Sequence, residues 1–208
     1  MQDWQRRRKM QGLTQAELAD LVGISRTALS HIERGKSQPS RSTQENLQRA
    51  LNPLLNHIRF RCGEGAMSGA EILQSVSAER GLAYALTLDV PAWLLTRYQT
   101  PAVAWAYVLR LREWVDALTE LGIREASEAE RADLILLRGT AEIMDESTVV
   151  QGLRIASVKR VMEDCAELSG RHALDAARLF LAHPRERPSR FRLDPAAVVK
   201  VWEDVLWT

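Results

Sequence analysis

Four residues in the stretch "TQAELADLVGIS", spanning residues 14–25, leave this part of the chain little choice of local structure. Thr14 offers a hydroxyl to the first free amides of a helix, and Glu17, three residues on, completes a reciprocal capping box. Leu18, Ala19 and Val22 then fall on one side at helical spacing. Gly23 stands where a tight corner favours positive φ, which costs glycine little. Ser25 caps a second helix, on which Ala28, Leu29 and Ile32 face inward. Residues 2–11 read as a preceding helix ended by Gly12. Ser40 or Ser42 opens a fourth helix through Leu47, Ala50 and Leu51, with Pro53 near its end.

The outward side of the second helix carries Arg26, Thr27, Ser30 and His31. A merely solvated face favours Glu and Lys, whereas these four are short or planar donors and acceptors of a size suited to a groove. Helix, glycine corner, helix is the helix-turn-helix arrangement, whose second helix enters the DNA major groove, about 12 Å wide. Charge points the same way. The first 61 residues carry 11 Lys+Arg against 5 Asp+Glu, which leaves 17 against 22 for the rest. A basic head on an acidic body is the distribution expected when one module faces a polyanion.

Residues 4–52, with "GLTQAELADLVGISRTALSHIERGKSQPS" at their centre, resemble the Cro/C1-type (XRE) helix-turn-helix family. The resemblance implies a lambda-repressor-like all-α domain that binds double-stranded DNA as a homodimer. It places Gln15 on the phosphate backbone and Arg26 and Thr27 on base edges. Ser30 and His31 follow one turn later, His31 being either a third reader or a groove-edge residue with little to do. Arg34, Lys36 and Ser37 are implied to grip phosphate, and Arg8 to pair with Glu33. Arg7 departs from the pattern, because the family has an apolar residue there. The chemistry agrees with these roles: an arginine can bind guanine O6 and N7 together, and the loop cations add salt-dependent affinity.

The remainder predicts an α+β body, so the chain as a whole reads as α+β: a helix-turn-helix domain at 1–58, a linker at 59–66 and a dimerisation, partner or sensing domain at 67–208. Ser68 and Glu71 suggest a capping box for a helix of about ten residues. "YALTLDVPAWLL" alternates like a strand until Pro91, and "PAVAWAYVLRL", "ADLILLRG" and "VVQGLRIAS" read as strands. "REWVDALTELG" is an amphipathic helix ended by Gly122. Two helices follow at about 157–168 and 172–182, and a last one starts at Pro195. That helix presents Val198, Val199, Trp202, Val205 and Leu206, with Trp207 behind them, to a core or a partner. Between them, "HPRERPSRFRLDP" places Arg185, Arg187, Arg190 and Arg192 in one loop. These arginines are a solvated surface, additional phosphate contacts, or partners for the acidic body. Residues 82–183 also resemble the C-terminal domain of AbiEi-type antitoxins, through "ADLILLRG" and "GLRIAS". That resemblance implies, as an alternative, an autoregulating antitoxin opposing a nucleotidyltransferase-like toxin.

An enzyme is not expected. HExxH, GxxxxGK[ST] and any Cys/His ligand cluster are absent from the sequence. Asp133, Asp145, Glu146, Asp164 and Asp175 sit in no recognisable catalytic spacing and read as solvated surface. No cofactor or metal is expected. Cys62 and Cys165 match no ligand spacing and read as reduced thiols in a cytoplasmic protein. The basic cluster in "MQDWQRRRKMQG" has no apolar run behind it, so neither a secretory leader nor a membrane association is expected.

Overall fold

A computed structural model describes residues 4–63, 66–168, 170–186, 188 and 195–206. The first four helices are α1 (Trp4–Met10), α2 (Gln15–Val22), α3 (Arg26–Glu33) and α4 (Arg41–Ala50). The local rules written in the sequence are the ones the backbone follows. Thr14 Oγ1 accepts from Glu17 N at 3.2 Å, and Glu17 Oε2 accepts from Thr14 N at 2.7 Å. Gly23 sits at φ 75°, and Ser25 and Ser40 cap α3 and α4. Leu18, Leu29 and Leu47 are fully buried, and with Trp4, Leu13, Ala19, Val22 and Leu51 they form the core of this head. Arg7, the residue that breaks the apolar pattern, lies over the Trp4 ring with its guanidinium carbon 5.5 Å from the centroid. Its guanidinium therefore covers the core aromatic as a cation–π contact rather than filling the apolar position itself.

A short 3-10 turn at Pro53–Leu55 leads into β1 (His57–Arg61), which corrects the expected organisation. Residues 59–66 are not simply a linker, because their first residues belong to a strand of the body's sheet. The chain continues through α5 (Ala66–Arg80), β2 (Tyr84–Thr87), α6 (Asp89–Thr96), β3 (Ala104–Val108), α7 (Leu111–Glu120), β4 (Arg124–Glu125) and β5 (Leu134–Arg138). Then come α8 (Ala141–Asp145), β6 (Thr148–Val150), β7 (Leu153–Ile155), α9 (Val158–Glu167), α10 (Arg171–Ala182) and α11 (Pro195–Leu206). Among the described residues seven strands form one mixed sheet in the order β4-β1-β5-β3-β2-β7-β6. β5 runs parallel to β3, β3 antiparallel to β2, and β2 parallel to β7. The fold is α+β: a helical head followed by a mixed sheet with helices on both faces.

Three further expectations are corrected. Ser68 and Glu71 lie inside α5 rather than at its start. "VVQGLRIAS" is a hairpin, β6 and β7, whose turn residues Gln151 and Gly152 take φ 51° and 84°, the pair of positive values a tight two-residue turn needs. Pro91 does not merely end a strand. It occupies the first turn of α6, where no backbone N–H is required.

Side chains alternate across the central strands with period two. Leu86, Ala106, Leu134 and Leu136 face one core with Leu73 of α5 and Trp114 and Leu118 of α7. Ala85, Tyr107, Ile135 and Leu137 face the other with Met162 and Cys165 of α9 and Leu179 of α10. The carboxylates of Asp133, Asp164 and Asp175 are buried, not the solvated surface expected from their spacing. Asp133 Oδ2 accepts from the amides of Cys62 and Gly63, each at 3.0 Å. Asp164 accepts from Thr87 Oγ1 at 2.5 Å, from the Tyr107 hydroxyl at 3.0 Å and from Arg160 at 2.9 Å, which ties α9 to β2 and β3. A buried charge survives only with partners of this kind. Among the described residues, no helix is long and apolar enough to cross a membrane.

Candidate nucleic-acid interface

α3 is short, and its two sides differ sharply. Leu29 is fully buried against the head core, whereas Arg26, Thr27 and His31 are exposed and Ser30 is half-buried. Ser25 Oγ accepts from Ala28 N at 3.1 Å, which fixes the first turn and projects Arg26 and Thr27 at the end of the helix that would enter a groove first. Arg26, Thr27 and His31 make no hydrogen bond or ion pair through their side chains among the described residues, so their donors and acceptors remain open.

One carboxylate braces the three helices that carry this face. Arg8 Nε of α1 donates to Glu33 Oε1 of α3 at 2.6 Å, and Arg8 Nη2 donates to Oε2 at 3.2 Å. Gln15 Nε2, on the first residue of α2, donates to the same Oε2 at 2.8 Å. Arg8 Nη1 also donates to the Leu13 carbonyl at 2.7 Å, closing the gap between α1 and α2. The structure thus brings Arg8 and Glu33 together and orients the Gln15 amide, whose carbonyl and second N–H stay available. Burial alone would raise the Glu33 carboxyl. The hydrogen bonds from Arg8 and Gln15 outweigh it and hold the group below the usual carboxylate range.

The segment after α3 turns away at Gly35, φ 70°, as Lys36 N donates to the His31 carbonyl at 2.8 Å. A side chain at this φ would be strained, so the glycine permits the turn that leaves Arg34, Lys36 and Ser37 exposed beside α3. Gln15, Arg26, Thr27, Ser30, His31, Arg34, Lys36 and Ser37 therefore all belong to the α2–α3 unit and the loop that follows it. The loop arginines fall elsewhere. Arg185 is exposed on a 3-10 turn at Pro184–Glu186, and Arg187, Arg190 and Arg192 lie outside the described residues. In the last helix, Ala197 and Val201 pack on Ala173 and Ala177 of α10. The side chains of Trp202, Val205 and Leu206, and Trp207 as a whole, lie outside the described residues.

The head meets the body through few contacts. Asn52 Nδ2 donates to Glu167 Oε2 at 3.0 Å, and Leu54 is buried in the core shared with α9 and α10. Neither contact carries a local sequence signal, since each partner lies far along the chain. A helix-turn-helix family model matches residues 5–53. No curated protein and no solved structure matches the chain.

Proposed function

Residues 5–53 are a Cro/C1-type helix-turn-helix, the mark of a DNA-binding regulator of transcription, and from that premise we propose that the chain is a dimeric repressor reading a short two-fold symmetric operator. The observation that carries this reading is the outward side of α3. Arg26, Thr27 and His31 stand exposed there with no side-chain partner among the described residues, on a helix locked from behind by Glu33. In the bound state Arg26 takes a guanine edge and Thr27 a thymine methyl or a neighbouring acceptor, with Ser30 and His31 reading one turn later. Gln15, Arg34, Lys36 and Ser37 hold the phosphates on either side and set the register without reading sequence.

A single module of this size reads few base pairs, so useful affinity requires two copies on half-sites about one helical turn apart. The acidic body is the part left to bring them together or to carry a signal. The chain on this reading is a binding protein and not a catalyst. Site selection from random duplex DNA with the full-length protein tests it. The expected product is one short palindrome bound by two chains. A pool with no enriched sequence contradicts the reading.

A further inference from the structure

On the body side of α2 lies an open cleft. Its walls include Glu17 of α2, Ile58 of β1, Arg110, Arg112 and Glu113 at the start of α7, and Arg138 at the end of β5. Arg110 and Glu113 neutralise each other at 2.9 Å. That leaves Arg112, which is exposed, and Arg138, which is half-buried, opposite a single carboxylate. Other described arginines of the body are mostly held: Arg80 by Glu120 at 2.6 Å, Arg124 by Glu130 at 2.5 Å, Arg160 by Asp164 at 2.9 Å. Arg112 and Arg138 make no hydrogen bond or ion pair among the described residues. Glu17 is committed to capping α2. The bonds with the backbone and side chain of Thr14, and then the pull of Arg138 and Arg112, hold its carboxyl below the usual range.

We propose that this cleft is a second DNA-backbone site, in which Arg112 and Arg138 take phosphates beside those held at the start of α2. The inference rests on the DNA-binding reading of residues 5–53. Glu17 lies on the first turn of α2, two residues from Gln15, so the cleft opens beside the helix end that carries Gln15. Phosphates follow one another at about 3.4 Å of axial rise per strand, so a strand pinned at Gln15 carries further charges toward the cleft. Guanidinium groups that form no ion pair among the described residues of an acidic body have their partner there. A planar fork of donors suits phosphate better than the one carboxylate already in use. The body thereby lengthens the footprint of the head without adding base readout.

The competing role for the same residues is a tether that only draws Glu17, and with it the head, onto the body. Two variants of the full-length chain on its selected DNA separate the two. Arg112→Gln with Arg138→Gln is expected to make the log–log salt dependence of binding shallower by about 1.8, the contribution of two phosphates. Hydroxyl-radical protection should disappear from the backbone at the edges of the site and persist at its centre. Glu17→Gln keeps the capping box, since Gln serves there as well as Glu. It removes a negative charge beside the phosphates and is expected to tighten binding severalfold at low salt. A tether predicts weaker or unchanged binding for Glu17→Gln, and that result overturns the proposal. So does a double variant with wild-type salt slope and footprint while sequence preference is intact. A wild-type chain that selects no DNA instead overturns the reading on which the proposal rests.

Discussion

Replacing Arg8 with Met tests the brace behind the recognition face. Arg8 is 7% exposed, and the Glu33 side chain it meets is 1% exposed. Methionine keeps most of the apolar stem but removes three donors. Glu33 is left with Gln15 alone, and the Leu13 carbonyl loses its partner. Breaking one side of a buried ion pair costs about 3–5 kcal/mol. Here the pair lies beneath a single layer of side chains in a small module, so the lower end applies, about 3 kcal/mol. At about 1.36 kcal/mol per tenfold, native-state hydrogen exchange should show α3 amides losing roughly 150-fold in protection, while amides of β3 and β5 keep theirs. Adding Glu33→Gln to Arg8→Met removes the stranded charge and should recover about 1 kcal/mol or more, because the two sites share one network. A loss below about threefold for Arg8→Met, or no recovery in the double variant, would refute the reasoning.

Removing Arg34 and Lys36 together should weaken binding to every sequence alike and flatten the salt dependence by about 1.8, leaving the preferred site unchanged; titrations on specific and scrambled duplexes across a salt series check both halves. The body should respond to pH through its buried acids. Burial pushes Asp164 and Asp175 up to about 6 from 3.8, against the pull of Arg160 on the first and Arg171 on the second. A carboxyl raised in the folded state stabilises the fold most below its unfolded value, so this contribution should be full below about pH 4 and lost as pH rises through 6. Asp175 Oδ2 has no hydrogen-bond partner among the described residues, so Asp175→Asn should raise the melting temperature at pH 7.5 and leave it unchanged near pH 4. Equal shifts at both values would contradict this.

The head was legible because its determinants are local. Thr14 with Glu17, Gly23 and Ser25 act within four residues of themselves, and α2 and α3 begin and end where those residues say. β1 was not legible, since "HIRFR" has no strand signature of its own and becomes a strand by pairing with β5, whose Leu134–Leu137 lie more than seventy residues on. Alternation in "YALTLDV" was real only as far as Thr87, after which Leu88, at φ 58°, turns the chain into α6. The buried carboxylates could not be found by spacing, because Asp164 meets Thr87 and Tyr107 from 77 and 57 positions away. The same distance in sequence hid the cleft. Nothing in "RLREWV" or "LILLRG" marks Arg112 and Arg138 as neighbours of Glu17.

The central claim is that Arg26, at the start of α3, reads DNA sequence. Binding-site selection run in parallel on the wild-type chain and on Arg26→Ala tests it directly. The account predicts a two-fold symmetric site for the wild type, and for the variant a loss of definition at one position of each half-site, worth about 1–3 kcal/mol of discrimination, with non-specific binding retained. An enriched site that is the same with and without Arg26 would contradict it.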